Sequence, residues 1–265
     1  MDKGQSIVAG KDMEHEDGGI MHDGQEIGVE QEQEQEQEQE QEQEQEQEQE
    51  QEQYLTSMSN EFESVPAQEI VEWAVERYGR SLALACSFQD CVIIDLANQV
   101  DPGMEVIFLD TGYHFAETLD YVEEVKARYG LNLTVTVPGD DAADWPCGSA
   151  RCCEFRKVGP LQRALQGRAA WMTALKRCDS PTRSSIPIVA LDATRSMAKI
   201  NPLATWTDKD INDYIASHEL PVHPLMEKGY LSIGCAPTTR PIEPGEHPRA
   251  GRWSGTGKTE CGLHT

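Results

Sequence analysis

The stretch Leu82-Ala-Leu-Ala-Cys-Ser-Phe-Gln-Asp-Cys91 joins a short apolar run to a group of residues that often begin helices. A run of Leu, Ala and Cys is typical of a strand that is buried on both faces of a sheet. Ser87 and Asp90 are common helix-capping residues, and an apolar helical pattern continues from Asp90 to Val100. The stretch therefore predicts one strand and one helix of an α/β sheet.

The same alternation of short apolar runs and helical patterns continues along the chain. Further strands are predicted at residues 106–109, 131–137, 171–175, 188–191 and 197–200. Further helices are predicted over residues 64–78, 116–129, 151–165 and 207–218, the last with a capping box of Thr207 and Asp210. This order predicts a doubly wound, mostly parallel sheet, in which ligands bind beyond the carboxyl ends of the strands. Residues 87–91 and 110–114 lie at two such ends.

The net charge of −25 is concentrated near the N-terminus of the 265-residue chain. Residues 1–53 hold 19 of the 47 acidic residues and include twelve consecutive Glu-Gln dipeptides from Glu30 to Gln53. Because no face of this repeat is apolar, we expect a disordered tail or a fraying, solvated helix. We predict three regions, namely this acidic tail, an α/β domain over residues 54–240 and a mobile C-terminal segment over residues 241–265.

The sequence has no run of 18 or more apolar residues and no basic-then-apolar secretory pattern at its start, which predicts a cytoplasmic protein without a membrane contact. Beyond the acidic tail, 28 acidic and 20 basic residues leave a mild negative charge, and we expect no nucleic-acid partner. In a reducing compartment, the eight cysteines are expected to be thiols, metal ligands or catalytic groups before disulfides.

Three cysteines are candidates for a metal centre. Cys152 and Cys153 are adjacent, with two basic residues one helical turn later, and Cys235 lies in a turn-rich segment. Clustered thiolates in such a protein indicate a soft metal or an iron–sulfur centre. A structural zinc site that also uses Cys147 is an alternative. Three other cysteines lie in apolar runs or turns and are expected to be structural: Cys86, Cys91 and Cys178.

Cys261 is a candidate nucleophile because it lies near the end of the chain in a glycine-rich segment. A buried structural thiol is unusual in such a place, whereas a mobile nucleophile gains reach there. His264, Arg249 and Arg252 would favour the reactive thiolate. The alternative is an incidental cysteine in a disordered tail.

In combination, these motifs resemble the sulfonucleotide reductases, and specifically the assimilatory adenylylsulfate (APS) reductase family. The resemblance runs from about Leu82 to His264 and implies a fold of the adenine-nucleotide alpha-hydrolase (PP-loop) type. Its motifs are Ser87-Phe88-Gln89, Leu109-Asp-Thr-Gly112, Cys152-Cys153-x-x-Arg156-Lys157-x-x-Pro160-Leu161, Ser180-Pro-Thr-Arg183, Asn201-Pro-Leu203, Ser232-Ile-Gly-Cys235-Ala-Pro, Arg249-x-Gly-Arg252-Trp253 and Glu260-Cys-Gly-Leu-His264.

The resemblance implies that the Cys261 thiolate attacks APS, that AMP leaves, and that thioredoxin or a similar dithiol releases sulfite from a cysteine S-sulfonate. It also implies a [4Fe-4S] cluster held by Cys152, Cys153 and Cys235. Thr238 stands where cluster-bearing members have a fourth cysteine, so the cluster is labile, completed by another group such as Cys147, or absent. The substrate contacts that the resemblance implies are Ser87, Phe88, Gln89, Asp110, Thr111, Gly112, Lys157, Arg177, Arg183, Arg249, Arg252 and His264.

Two other functions stay open at the level of sequence. One is reduction of the phosphorylated nucleotide PAPS, since PAPS reductases belong to the same family and usually lack the cluster cysteines. The other is a redox-inactive sulfonucleotide-binding protein, which the threonine at position 238 favours.

Overall fold

The computed structural model describes residues 23–139, 145–255 and 258–263. Its centre is one six-stranded sheet with the strand order β3-β2-β1-β4-β6-β5. All neighbouring strands are parallel except β5, which runs antiparallel to β6. The strands are β1 (Leu82–Ala85), β2 (Glu105–Leu109), β3 (Asn132–Thr136), β4 (Ala170–Met172), β5 (Val189–Asp192) and β6 (Met197–Ile200). The predicted mostly parallel α/β sheet is confirmed.

The helices lie close to the predicted positions. Gly130 ends the fourth helix in the left-handed region, at φ 62°, where a glycine carries no steric cost. The predicted capping box of Thr207 and Asp210 begins the seventh. The helices are α1 (Asp23–Glu61), α2 (Ala67–Tyr78), α3 (Val92–Val100), α4 (Ala116–Tyr129), α5 (Ala150–Cys153), α6 (Gly159–Ala164) and α7 (Asp208–Ser217). Among them, none is both long and apolar enough to cross a membrane.

Alternate side chains of the central strands enter two separate cores. Leu82 and Leu84 of β1 belong to the larger core, which also contains side chains of α2, α3, α4 and α7. Ala83, between them, belongs to the smaller core, where it packs with Leu161 of α6 and with Trp171 of β4. Because successive residues of a strand point to opposite faces, helices cover the sheet on both sides.

The strand order places a topological switch point between β1 and β4. From β1 the chain adds β2 and β3 on one side of the sheet, and it later adds β4, β6 and β5 on the other side. The loops that follow β1 and β4 therefore leave the sheet in opposite directions and open a crevice at the carboxyl ends of the strands, where ligands bind in folds of this kind.

The helix predicted over residues 151–165 is interrupted by a π-helical turn, Glu154–Val158, between α5 and α6. Pro160 has no N–H group to donate to the carbonyl of Arg156, so the regular α-helical ladder cannot continue there. The N–H group of Gly159 instead donates to the carbonyl of Glu154, five residues earlier. The prediction of one uninterrupted helix is thus corrected, and the extra residue in the turn changes the direction of the side chains around Lys157.

The acidic repeat forms part of α1. The chain divides into two compact units, the first ending at Glu50 and the second beginning at Gln51. Residues 23–53 are helical, which is one of the two outcomes that the sequence left open for this segment, and residues 1–22 of the predicted tail lie outside the described residues. Glu and Gln are good helix formers, and residues 37–50 are exposed, as in a solvated helix without an apolar face.

The last part of α1, within the second unit, is anchored in the fold. Leu55 is fully buried in the larger core. The Ser59 hydroxyl oxygen accepts hydrogen bonds from the N–H groups of Ile188, at 2.9 Å, and Val189, at 3.3 Å. These bonds satisfy backbone donors at the start of the edge strand β5, so this part of the helix contributes to the stability of the sheet.

We expect removal of residues 1–50 to leave the melting temperature and the activity unchanged, because residues 37–50 make no buried contact. Removal of residues 1–61 also deletes Leu55, whose burial is worth about 2 kcal/mol, and we expect it to lower the free energy of unfolding by at least that amount. Urea denaturation of both truncated proteins tests this. Equal stability of the two would contradict the assigned role of Leu55.

A buried histidine makes the stability depend on pH. The Nδ1 atom of His223 accepts the N–H group of Leu225 at 3.2 Å, and Nε2 lies 3.0 Å from the Thr118 hydroxyl oxygen. The ring is therefore neutral in the fold, and burial lowers its pKa from 6.5 to about 4.

In the unfolded chain His223 takes up a proton near its ordinary pKa, whereas in the folded protein it stays neutral until about pH 4. Its stabilising contribution is complete above pH 6.5 and is lost as the pH falls toward 4, by about 2 to 3 kcal/mol in total. We expect the variant His223→Gln to show a smaller loss of unfolding free energy between pH 7 and pH 4.5. An identical pH dependence in urea titrations of both proteins would refute this.

Candidate active site

The crevice between the carboxyl ends of β1 and β4 brings together half of the predicted site residues. They come from the loop after β1, the turn after β2, the helical segment before β4, the loop after β4 and the C-terminal segment. Those that line the crevice are Ser87, Gln89, Thr111, Lys157, Arg183, Arg249, Arg252 and Cys261. The predicted nucleophile and four predicted cations thus share one site.

The loop after β1 depends on an unusual backbone conformation at Phe88. This residue has a φ of 56°, in the left-handed region, and its buried ring packs edge-on against Phe108 at 5.3 Å between centroids. The side chain of Phe88 lies in the core, and the predicted contact of this residue with substrate stays a prediction. Its neighbours Ser87 and Gln89 face the crevice, and the Gln89 side-chain oxygen accepts the N–H group of Ile233 at 3.0 Å.

The turn after β2 supports Cys235. The Thr111 hydroxyl lies 3.6 Å from the Cys235 sulfur and accepts the N–H group of Tyr113 at 3.2 Å. The Asp110 carboxylate accepts the N–H group of Gly112 at 2.9 Å and so closes the turn. Asp110 and Gly112 do not line the crevice in the described structure, and their predicted contact with substrate stays a prediction.

The C-terminal segment is docked through Glu260. Its carboxylate accepts hydrogen bonds from Arg183 at 2.7 and 2.9 Å and forms an ion pair with Arg249 at 3.5 Å. Leu263 packs against the smaller core. The segment that the sequence predicts to be mobile is therefore held, over residues 258–263, with Cys261 in the crevice. The predicted contact of His264 lies outside the described residues.

Arg252 is fixed in the crevice by carbonyl oxygens and an aromatic ring. Its guanidinium donates to the Ile233 carbonyl at 3.1 Å and lies over the Trp253 ring, 4.5 Å from the centroid. A Cβ atom at Gly234 would overlap this guanidinium, so any larger residue there would displace Arg252. Within the described residues, the buried Nε atom of Arg252 has no hydrogen-bond partner. It is a donor left available for an anionic ligand.

The crevice carries more buried positive charge than its own carboxylates compensate. Burial and the neighbouring cations lower the pKa of Arg252 to about 10, and the same causes lower the pKa of Arg249. Burial would also lower the pKa of Lys157, but the neighbouring sulfur groups of Cys235, Cys261 and Cys153 outweigh it and raise that pKa. Such a site attracts a small molecule with several negative charges.

The three predicted metal-ligating cysteines are buried, and two of them, Cys153 and Cys235, lie within electrostatic reach of Lys157. The Ser149 hydroxyl caps the helix that carries Cys152 and Cys153 by accepting the N–H group of Cys152 at 3.1 Å. Lys258 donates to the Cys153 sulfur at 3.0 Å. Burial opposes ionisation of Cys235, but Lys157 and the Thr111 hydroxyl outweigh it and lower the pKa of this thiol. Thiols stabilised in this way as thiolates fit a soft metal or an iron–sulfur cluster.

A single zinc ion does not fit these thiols. Four sulfurs bound to one zinc at about 2.3 Å lie about 3.8 Å from one another. In the described part of the chain, no three of the cysteine sulfurs come within 4.8 Å of one another. The alternative of a structural zinc site is therefore not supported, whereas a cluster of several irons spaces its ligands further apart.

Another residue predicted to contact substrate lies outside the crevice, and three residues in or beside the site were not predicted from the sequence. Arg177 forms two bonds with Glu63, at 2.6 and 2.8 Å, and does not line the crevice in the described structure. Sequence reasoning assigned no role to Glu260, Lys258 or the crevice residue Lys176. The adjacency of Glu260 to Cys261 was a signal for the first, since a carboxylate beside a nucleophile within a basic site is well placed to dock it.

Three comparisons with known proteins agree with this geometry. The family model described as the phosphoadenosine phosphosulfate reductase domain matches residues 80–241. The chain is similar to an adenosine 5'-phosphosulfate reductase of Rhodococcus opacus, with 43% identity over 221 residues that cover 76% of this chain and 90% of the relative.

The chain is also similar in fold to solved structures. A phosphoadenylyl-sulfate (PAPS) reductase from Candida auris superposes with a TM-score of 0.61 and 26% identity, covering 68% of this chain and 93% of the other. An FMN adenylyltransferase of Candida glabrata shares the fold, with a TM-score of 0.51 and 14% identity over 73% of this chain and 75% of the other. These likenesses confirm the predicted PP-loop type of fold. Matched over most of its α/β sheet and its crevice, the chain belongs to the phosphoadenosine phosphosulfate reductase family.

Proposed function

We propose that the protein reduces adenosine 5'-phosphosulfate (APS) to sulfite and AMP in assimilatory sulfate reduction. The observation that carries this proposal is the position of Cys261, a thiol docked in a crevice with Lys157, Arg249 and Arg252. APS joins a sulfate to a phosphate, so its two adjoining anionic groups match a site with excess positive charge. Relatives named as APS reductases, at about 40% identity, support an oxidoreductase that acts on a sulfonucleotide.

In the first step, the Cys261 thiolate attacks the sulfur of APS. A sulfur–sulfur bond forms and the bond between that sulfur and the bridging oxygen breaks, with its electron pair leaving on the phosphate of AMP. Charge builds up on the leaving phosphate and persists on the sulfonate. Lys157, Arg249 and Arg252 are placed to stabilise it in a crevice that excludes most water. The product is an S-sulfonate on Cys261.

In the second step, a dithiol protein of the thioredoxin type removes the sulfonate. One of its thiolates attacks the Cys261 sulfur, sulfite leaves with the electron pair, and a mixed disulfide forms. The second thiol of the partner then releases Cys261 as a thiolate and becomes part of a disulfide in the partner. The two electrons thus come from the dithiol. All eight cysteines are free within the described residues, which supports action in a reducing cytoplasm.

Cys152, Cys153 and Cys235 would hold a [4Fe-4S] cluster, as their burial and their cationic neighbours support. When bound, such a cluster supplies a compact negative group beside Lys157. Lys157 follows Cys153 by one turn, and it lies within the electrostatic reach of both Cys235 and Cys261. Its ammonium group can therefore contact the substrate on one side while the thiolates on the other side keep it protonated.

A second candidate substrate is PAPS, which has an additional phosphate on the ribose. The matching family model and the Candida auris structure are both described by that nucleotide. The curated relatives of higher identity are named for APS, so we expect kcat/KM to be at least about tenfold higher with APS, a difference of about 1.4 kcal/mol. A preference for PAPS in a sulfite-release assay would reverse this assignment.

Replacing the nucleophile should abolish the reaction. We expect Cys261→Ser to reduce sulfite release from APS and reduced thioredoxin by at least about a thousandfold, because a hydroxyl at neutral pH is a far weaker nucleophile than a thiolate. A matched control is Cys91→Ser, a buried thiol at the start of α3, which we expect to keep near wild-type turnover. Unchanged sulfite release in Cys261→Ser would refute the mechanism and favour a different nucleophile.

Loosening the docked segment should expose Cys261. In Glu260→Gln the charged bonds to Arg183 and Arg249 are lost, and we expect alkylation of Cys261 by iodoacetamide, followed by peptide mass mapping, to become several-fold faster, at about 1 kcal/mol of lost docking energy. The control Glu246→Gln removes an exposed pair with Arg240 in the same C-terminal region. Equal acceleration in both variants would show that Glu260 has no specific docking role.

A further inference from the structure

The proposed cluster has one ligand too few. A [4Fe-4S] cluster presents four irons, each of which takes a protein ligand in the usual four-cysteine sites. Cys152, Cys153 and Cys235 supply three, and the residue three positions after Cys235 is Thr238. A neutral hydroxyl is a hard, weak ligand for iron in a sulfide cluster, which favours soft thiolates.

A thiol from another part of the chain lies beside Thr238. The Cys147 sulfur is 3.8 Å from the Thr238 hydroxyl oxygen, although the two residues are 91 positions apart. Cys147 is half-buried, and burial together with the nearby Cys235 and Cys152 raises the pKa of its thiol to about 11. Position 238 has no thiol, but the Cys147 thiol, from the loop before α5, lies next to the side chain at that position.

The loop that carries Cys147 is fixed against both parts of the ligand set. Gly148, at φ 91°, lies so close to the 235–238 turn that a Cβ atom there would stand 3.1 Å from the Thr238 methyl carbon. The Lys258 ammonium donates to the Gly148 carbonyl at 2.9 Å and to the Cys153 sulfur at 3.0 Å. The Lys258 ammonium group thus connects the loop that carries Cys147 with Cys153. Cys147 is thus held beside the site by its backbone as well as by its side chain.

We propose that Cys147 is the fourth ligand of the cluster, in place of the residue at position 238. The inference rests on the proposed function in one respect only, namely that a cluster is bound. As the iron–sulfur bond forms, the Cys147 thiol releases its proton to solvent, and no electron is transferred. The four ligands are then Cys147, Cys152, Cys153 and Cys235.

The full chain, purified without oxygen, tests this in four forms: wild type, Cys147→Ser, Thr238→Val and Cys91→Ser. Iron and acid-labile sulfide are measured, followed by the rate of iron loss to a chelator and the EPR spectrum after mild oxidation. We expect about four irons per chain in the wild type. We expect Cys147→Ser to lose iron at least about tenfold faster and to give the paramagnetic three-iron cluster that forms when one iron lacks a thiolate. Thr238→Val and Cys91→Ser should match the wild type.

Either of two results from the variants would overturn the assignment. One is a Cys147→Ser protein that equals the wild type in iron content, chelator rate and EPR spectrum. The other is loss of iron in Thr238→Val, which would identify the threonine hydroxyl as the ligand. A wild type without iron would also overturn it, but sulfite release from APS, assayed on the same sample, reports on the proposed reaction separately.

The double variant Cys147→Ser with Thr238→Cys tests whether Cys147→Ser loses iron because it lacks a ligand or because it folds poorly. It moves the thiol across the 3.8 Å gap to the position that the family resemblance implies. We expect it to recover the slow chelator rate of the wild type and to lose the three-iron signal. Failure of the double variant to recover, with a wild-type circular dichroism spectrum and melting temperature, would count against a shared position for the two thiols.

Discussion

The arrangement of the C-terminal segment depends on the buried positive charge at the carboxyl ends of β1 and β4. A buried guanidinium is costly unless it is paired or hydrogen-bonded. Arg183 is compensated by Asp179 and Glu260, whereas Arg252 relies on carbonyl and hydroxyl oxygens. Glu260 therefore satisfies a charge and, in doing so, positions the residue that follows it. The ion pair of Glu260 with Arg183 thus both docks the segment that carries Cys261 and compensates a buried charge of the crevice.

The same field separates two kinds of thiol. Cys86 and Cys91 are buried beside β1 and α3 among apolar side chains, and burial raises the pKa of Cys91 to about 11 and that of Cys86 further. Cys235 is also buried, yet the nearby Lys157 and Thr111 lower its pKa. Residue type and burial alone do not distinguish a structural thiol from a ligand. At Cys235 the neighbouring cation makes the difference, because it stabilises the thiolate that binds metal.

The strands, most helix limits and the clustered site residues could be predicted because they depend on local periodicity and on known end signals, such as Gly130 after α4. The features that the sequence did not predict depend instead on contacts between distant parts of the chain. The left-handed backbone at Phe88 and the bond between Arg177 and Glu63 are set by tertiary contacts, the latter across 114 residues. The proximity of Cys147 and Thr238 is equally non-local. No single-sequence pattern carries such information, whereas the π-turn could have been foreseen from Pro160.

The π-turn at Glu154–Val158 makes the number of residues between the cysteine pair and Pro160 as important as their identity. Each residue of a helix turns the chain by about 100°. Deleting one residue there would rotate everything after it by about that angle relative to Cys152 and Cys153. Lys157 would then face away from Cys261. In evolution this segment can exchange side chains, but insertions and deletions within it should be rare among active relatives.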